Sequence, residues 1–305
     1  MIYIYFNFVK TLKFKKMNIS KLLFVSLFTI SSIFSFAQDT IRAKNVEAIL
    51  YLGKGKQQPL IVGLAGSEGG NAWTSNYWKK TRDQFIEKGY AFLAVGYFGC
   101  KNTPAILDRI AIEDIHNAII TASKNKKINK NKIAIVGGSR GADLGLLIGS
   151  YYKDIKCVVG FVSSHAVFPG HTQEFNTSCW TFQGKELPFI PVNEEAVPFL
   201  MKGDLRGTFD AMLKDKIAEE KSLIKIENIK APILLLSATK DEICPSTPMS
   251  EKMMARLKYF NFKYNFNHIP IEGSHAEPLK HFDLVFDFLD KNFKKSNFKP
   301  KKTAI

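Results

Sequence analysis

The stretch Gly137-Gly138-Ser139-Arg140-Gly141 constrains this chain more than any other. A β-type apolar run, Lys132-Ile133-Ala134-Ile135-Val136, leads into it, and a helical run, Ala142-Asp143-Leu144-Gly145-Leu146-Leu147-Ile148, leads out. A G-x-S-x-G pentapeptide between a strand and a helix is the setting of a nucleophile elbow. There the serine sits at the tip of a strained turn and its hydroxyl stands above a sheet. The glycines relieve the crowding, and the helix N-terminus behind the serine favours developing negative charge. The bare pentapeptide also arises by chance, so its weight comes from the flanking elements and from two residues further along the chain.

The remaining segments alternate in type. Val46–Leu52 reads as an edge strand and 59–64 as a buried strand. A helix is expected over 77–88, closed by Gly89 as its C′ residue, followed by a buried strand over 90–95. A long helix is expected over 106–123. After the elbow strand and its helix come strands at 157–162 and 232–236, a helix over 246–257 and a last strand within 262–271. A final helix within 279–293 has Phe282, Val285, Phe286 and Leu289 as its buried stripe. This order predicts an α/β fold with a mostly parallel central sheet and helices on both faces. With 305 residues, 46% hydrophobic and 23% charged, the chain suffices for one large domain. Residues 163–229 break the rhythm as an insertion after the sixth strand, expected without strands and with a helix near 208–222. Long excursions in compact domains often cap a site. Phe168, Trp180 and Phe182 are therefore expected to line a substrate pocket, with Phe175, Phe189, Phe199 and Leu200 beside them.

Residues 1–37 read as a secretory signal peptide, with Met17 the natural start. Lys21 precedes an apolar run over 22–36, and Ser35-Phe36-Ala37 offers small residues before Gln38. An uncleaved anchor is the competing reading. Residues 38–57 form a short lead-in, 58–293 the main domain and 294–305 a basic tail. The expected location is export to the periplasm or medium, with no stable membrane insertion after cleavage. The net charge of +15 is spread over solvated faces, and no aromatic-interleaved basic helix or other nucleic-acid signature is present. The four cysteines, Cys100, Cys157, Cys179 and Cys244, contain no C-x-x-C pair, which argues against a zinc or thioredoxin-like site. Cys157 is expected in the core, while the other three leave a disulfide open.

Past the strand at 232–236, Asp241 falls in a loop, and past the last strand Glu272-Gly273-Ser274-His275 places an imidazole. The order Ser139, Asp241, His275 is that of an α/β-hydrolase triad. Ser139 is the expected nucleophile, His275 the general base and acid, and Asp241 the group that orients the imidazole. Among the six histidines, His281 is the rival to His275. His116 is expected exposed on a helix, His268 within a strand, and His165 and His171 in the insertion near substrate. Glu242, beside Asp241, is expected to point elsewhere. An oxyanion hole needs two N–H donors. One is expected at Arg140 and the other in the turn Gly66-Ser67-Glu68-Gly69-Gly70, at Ser67 with Glu68 as the alternative. No phosphate-binding G-x-G-x-x-G or P-loop lysine is present, and neither a cofactor nor a metal is expected. The implied partner is a small acyl ester or thioester.

Several blocks carry a resemblance to a known family: Gly66 to Gly70, residues 88–99, residues 136–143, Ile233 through Asp241, and Gly273-Ser274-His275. Residues 180–188 look similar as well. These stretches resemble the C-terminal catalytic domain of acyl-CoA thioester hydrolases and bile acid-CoA:amino acid N-acyltransferase, and the neighbouring dienelactone hydrolases. The likeness spans about residues 58–293. It implies the α/β-hydrolase fold and acyl chemistry, namely cleavage of an ester or thioester or, alternatively, acyl transfer to an amine or alcohol. A non-catalytic envelope binding protein on the same fold is the third reading. Members of the mammalian type carry a β-sandwich domain before the catalytic one, for which residues 38–57 leave too little chain. A serine rather than a cysteine at position 139 favours hydrolysis.

Overall fold

The computed structural model describes residues 37–294. The expected signal peptide, apart from Ala37, and the basic tail beyond residue 294 lie outside the described residues.

Eight strands form one sheet. In chain order they are β1 (Ala37–Ala43), β2 (Val46–Leu52), β3 (Gln58–Leu64), β4 (Ala91–Gly96), β6 (Ile128–Gly138), β7 (Ile155–Phe161), β10 (Ile233–Ala238) and β11 (Phe266–Ile271). Across the sheet the order is β1-β2-β4-β3-β6-β7-β10-β11. From β4 to β11 every pairing is parallel, while β1 and β2 are antiparallel to their neighbours. The parallel strands inside the edge strand β11 carry nearly continuous apolar runs because both their faces are covered, whereas β11 (FNHIPI) is only partly buried. Leu60, Val62, Ile133, Ile135, Ile233 and Leu235 point into one core cluster. The alternate residues Ile61, Ala134, Val136, Leu234 and Leu236 point into the other, as the two-residue period of a strand requires. Each fully buried Val, Leu or Ile among these contributes about 2 kcal/mol.

Helices α1 (Asn76–Glu87) and α8 (Phe282–Leu289) cover the second face, with Phe85, Ile86, Val285 and Leu289 buried. Helices α2 (Ile112–Ser123), α3 (Arg140–Tyr151) and α7 (Ser246–Tyr259) cover the first. Gly89 has φ +87 and donates its N–H to the Ile86 carbonyl, as expected of a C′ residue. Among the described residues no helix is long and apolar enough to cross a membrane.

Four expectations need correction. Val46–Leu52 is not the edge: β1 lies outside it, paired from Ala37↔Leu52 to Ala43↔Val46. The β1 sequence AQDTIRA is largely exposed and lacks an alternating apolar pattern, so periodicity did not reveal it. The helix expected over 106–123 begins only at Ile112. Arg109 has φ +48, outside helical space, and the N–H groups of Arg109 and Ile110 donate to Ser178 and Cys179. That contact builds β5 (Ile110–Ala111), which pairs in parallel with β8 (Trp180–Phe182), itself antiparallel to β9 (Lys185–Glu186). The insertion, expected to be free of strands, thus supplies two strands of a second small sheet.

The single helix expected near 208–222 is two. Beyond the short α4 (Val197–Met201) run α5 (Leu205–Met212) and α6 (Lys216–Lys221). Asp204 accepts from the Gly207 N–H, and Asp215 accepts from the N–H groups of Ile217 and Ala218. Each aspartate caps a new helix start, so the chain turns between Met212 and Lys216 instead of continuing.

Glu219 on α6 ties the insertion to the main body. Its carboxylate accepts from His165 Nε2 at 2.7 Å, Lys216 Nζ at 2.9 Å and Lys252 Nζ on α7. Burial pushes this carboxyl up, but the hydrogen bonds from Lys252, Lys216 and His165 outweigh it and bring it from the usual 4.5 down to about 2. A depressed carboxyl adds stability that is complete above its unfolded value and lost as pH falls through its folded value. The melting temperature of Glu219→Gln should therefore lie below that of the unaltered chain at neutral pH. The difference should shrink between about pH 4.5 and 2; a gap that stays constant across that window excludes this contribution.

Candidate active site

The C-terminal ends of the central strands share one rim. Leu64 of β3 is in register with Gly137 of β6, and Gly138 with Phe161 of β7. In open parallel sheets this rim is where ligands bind. Ser139 follows β6 directly, at φ +51 and ψ −122, and its N–H donates to the Phe161 carbonyl at 2.8 Å. A non-glycine residue at positive φ is strained. The strain is held by close backbone packing: a Cβ on Gly137 would lie 2.2 Å from the Gly141 oxygen, and one on Gly141 would lie 2.2 Å from the Ala65 oxygen. The pentapeptide needs its outer glycines because backbone occupies the space of a side chain. Gly138 is different, since a Cβ there meets only Leu279 at 3.6 Å.

Asp241 lies in the loop after β10 and is 3% exposed. Its Oδ1 accepts from the N–H groups of Ile243 and Cys244, both at 3.0 Å, and its Oδ2 accepts from Ser246 Oγ at 2.5 Å. His275, in the loop after β11, sets Nδ1 2.8 Å from Oδ1 and 3.0 Å from Oδ2. Burial pushes the Asp241 carboxyl up, but hydrogen bonds from His275, Ser246 and the Cys244 backbone prevail and hold it below the usual range. Two backbone bonds, Thr239 N–H to Ile271 O and Lys240 N–H to Gly273 O, lock the two loops together. Glu242 does not point elsewhere: its Oε2 accepts from the His275 N–H at 2.9 Å. Arg206 of α5 donates to the Asp241 carbonyl oxygen at 2.9 Å. An acid next to an acid and an arginine 35 residues away carry no signal of these roles in one sequence.

Ser139 and His275 border the same cavity, of about 590 Å³. No hydrogen bond joins them among the described residues, and such contacts often tighten only with substrate bound. Gly66, Ser67 and Glu68 border the cavity too, and a Cβ on Gly66 would stand 3.1 Å from Ser139 Cβ. The Arg140 N–H is in the first turn of α3, where no intrahelical acceptor exists. Both proposed donor segments thus flank the serine. The arrangement places a hydroxyl, a carboxylate-oriented imidazole and two sets of N–H groups around one apolar space.

Of the expected pocket residues, Phe168 borders the cavity, as do Phe175 and Leu200. Trp180 and Phe182 do not. Trp180 is fully buried in the main core, 5.9 Å from the Tyr97 ring, and Phe182 lies 4.2 Å from the Tyr151 ring. Pairing of β8 with β5 turns these side chains into the body of the domain. Phe189 and Phe199 are also absent from the cavity wall, whereas Trp73, Trp78, Phe209 and Met212 complete it.

His281 ends a short 3-10 turn and has no part in the pair with Asp241. His116 is not free on its helix: it stacks on Tyr152 at 3.5 Å and pairs with Asp154 at 2.9 Å. His268 on β11 bonds Ser237 Oγ at 2.7 Å. His171 borders the cavity, whereas His165 is buried against Glu219 away from it. Lys240 pairs with Glu272 on the surface. All four cysteines are free thiols, with Cys157 in the core. Asp241, Cys244 and His275 set potential metal-ligating atoms within 4.8 Å of one another, yet the Asp241 oxygens are already engaged by hydrogen-bond donors.

Comparison with known proteins places the chain among acyl-transferring and acyl-hydrolysing relatives. Residues 110–278 match the family described as BAAT / Acyl-CoA thioester hydrolase C terminal. The chain is 23% identical over 225 residues to mouse acyl-coenzyme A amino acid N-acyltransferase 1, covering 72% of this chain and 49% of that protein. It is 25% identical over 171 residues to rat acyl-coenzyme A thioesterase 1, covering 56% and 38%. Mouse acyl-coenzyme A thioesterase 3 is 24% identical over 242 residues, covering 78% and 52%. The chain thus spans about half the length, or less, of these relatives. Among solved structures, the acylaminoacyl peptidase of Pyrococcus horikoshii superposes with a TM-score of 0.63 at 17% identity, over 95% of this chain and 45% of that one. An esterase of Pyrococcus furiosus gives 0.59 at 15%, over 85% and 94%. These structures share the α/β-hydrolase fold.

The packing of the elbow predicts that Gly141→Ala does not accumulate as folded protein, because overpacking against backbone has no side chain to displace. Gly138→Ala should change stability by less than about 1 kcal/mol. Urea unfolding of both variants checks this, and equal stabilities contradict the account of the pentapeptide.

Proposed function

The chain belongs to the BAAT / acyl-CoA thioester hydrolase C-terminal family, and from that premise we propose that it cleaves a carboxylic ester or thioester through an acyl-enzyme on Ser139. The observation that carries this reading is the bond from His275 Nδ1 to Asp241 at 2.8 Å, beside a cavity that Ser139 also borders. Asp241 orients the ring and stabilises its charged form, leaving Nε2 to take the Ser139 proton as Oγ attacks the acyl carbonyl. The developing oxyanion is held by the Arg140 N–H and by a second N–H at Ser67, with Glu68 the alternative. His275 then passes its proton to the departing alkoxide or thiolate. Water, deprotonated by the same ring, attacks the acyl-enzyme, and the acid and free Ser139 are released.

The names of the relatives leave acyl transfer as a second reading, in which an amine or alcohol takes the place of water. The mature chain acts after export, once residues 1–37 are removed. The whole reaction needs no group beyond these side chains and backbone amides.

A fluorophosphonate probe should label the protein at Ser139 and leave Ser139→Ala unlabelled. That variant should lose at least about a thousandfold in kcat on p-nitrophenyl esters, and Asp241→Asn about 10⁴-fold, as loss of the orienting carboxylate does in serine proteases. A folded protein that takes no label favours a binding role. Products formed with and without an added amine separate transfer from hydrolysis.

A further inference from the structure

The cavity is walled mostly by apolar side chains such as Phe168, Phe175, Phe209, Met212 and Leu200, yet Arg140 and Asp143 stand in the same wall. A plain acyl chain has no use for them. Nor does stability explain them well. The pair is joined at one point, Arg140 NH1 to Asp143 Oδ2, at 3.3 Å, and a buried ion pair of that quality is commonly no better than apolar packing of the same volume. Asp143 is firmly fixed, since its Oδ1 accepts from the Ser164 N–H at 2.7 Å.

Arg140 is not saturated. A guanidinium has five N–H donors in one plane, and Asp143 uses one. The Phe168 and Phe209 rings lie 5.3 and 5.6 Å from its central carbon, which holds the group without consuming donors. The other buried arginine is a useful contrast. Arg82 donates to the Trp73 carbonyl and keeps a sealed Nε that has no hydrogen-bond partner and lies 4.0 Å from Asp83 Oδ1, whereas no Arg140 nitrogen is both sealed and without a hydrogen bond. The unused edge of Arg140 therefore opens on the cavity.

Charge decides what that edge can receive. Burial lifts the Asp143 carboxyl from 3.8 to about 6 against the pull of Arg140 and the Ser164 N–H, so near neutral pH it is ionised and the two side chains together are neutral. A ligand carboxylate would add an uncompensated charge to a water-poor wall, and the acidic residue Glu68 borders the same space. His171 offers no relief: burial and the nearby Arg140 push its imidazole down to about 4, so it is uncharged near neutrality. A neutral oxygen, by contrast, accepts a charge-assisted hydrogen bond from the guanidinium and adds no charge.

Building on the hydrolase reading above, we propose that the Arg140 side chain is a specificity determinant that selects acyl groups carrying a neutral hydrogen-bond acceptor, a keto, hydroxyl or amide oxygen, over plain alkyl chains. Arg140 adjoins Ser139 in the chain, so the oxygen is recognised within one arginine side chain's reach of the reacting carbon.

The test uses p-nitrophenyl alkanoates, the same esters with a keto oxygen moved stepwise along the chain, and the terminal-carboxylate analogue. The unaltered protein should hydrolyse at least one keto ester about tenfold or more better in kcat/KM than its alkyl counterpart, and the carboxylate ester worst. The double variant Arg140→Met/Asp143→Asn keeps an acceptor for the Ser164 N–H and leaves no lone charge. Both changes leave the backbone N–H at position 140 in place, and the keto-to-alkyl ratio in kcat/KM should fall to about one, whatever the absolute rate of the variant. Asp143→Asn alone uncovers the Arg140 charge and should raise the carboxylate ester relative to both others. Turnover of alkyl esters with no keto preference, a carboxylate preference in the unaltered protein, or a ratio unmoved in the double variant overturns the proposal and leaves the hydrolase reading standing. Absence of label and of turnover with every ester overturns both.

Discussion

The molecule turns on a backbone-to-backbone approach. The first turn of α3 presses so closely on the end of β3 that a single added carbon at Gly141 would overlap the Ala65 oxygen. That approach is possible only with two glycines, and between them it forces Ser139 to φ +51. The same crowding leaves a carbon added at Gly66 only 3.1 Å from Ser139 Cβ, so the turn after β3 and the first turn of α3 flank one point. A strained residue persists only where its surroundings over-determine it. Here the surroundings are the covered central strands of a parallel sheet.

The second requirement is electrostatic. A carboxylate buried among β10, α7 and the cap would be costly alone. Asp241 avoids that cost through two backbone N–H groups, the Ser246 hydroxyl and the His275 ring. Glu242 adds a hold on the backbone of His275 from the same loop. Arg206 reaches the Asp241 carbonyl from α5, so the insertion that walls the cavity is also bonded to the loop that orients the imidazole. The part of the cavity wall supplied by the insertion and the geometry of the pair are therefore mechanically linked.

The elbow, the order Ser139, Asp241, His275 and the alternation of strand and helix were legible in the sequence. Each rests on local chemistry: glycine where backbone must approach, apolar runs where both strand faces are covered, polar residues just past strand ends. The pocket was less legible. Trp180, Phe182, Phe189 and Phe199 have the same apolar character as Phe168 and Phe175, and nothing local separates those that border the cavity from those that do not. The separation came from β8 choosing β5 as partner, which carried Trp180 and Phe182 inward. Likewise β1 is exposed and polar, so it is defined by its partner β2 and not by its own pattern.

By itself, then, the sequence determined the class of fold, the strained serine and the residues of the Asp241–His275 pair beyond it, because these follow from steric limits and from periodicities that act over a few residues. Only the tertiary structure decided which aromatics face the cavity, that Glu242 and Arg206 brace the site, and that Arg140 stands in the cavity wall with one side-chain hydrogen bond, to Asp143. Those are contacts between segments far apart in the chain, and their energies depend on distances that no local pattern encodes.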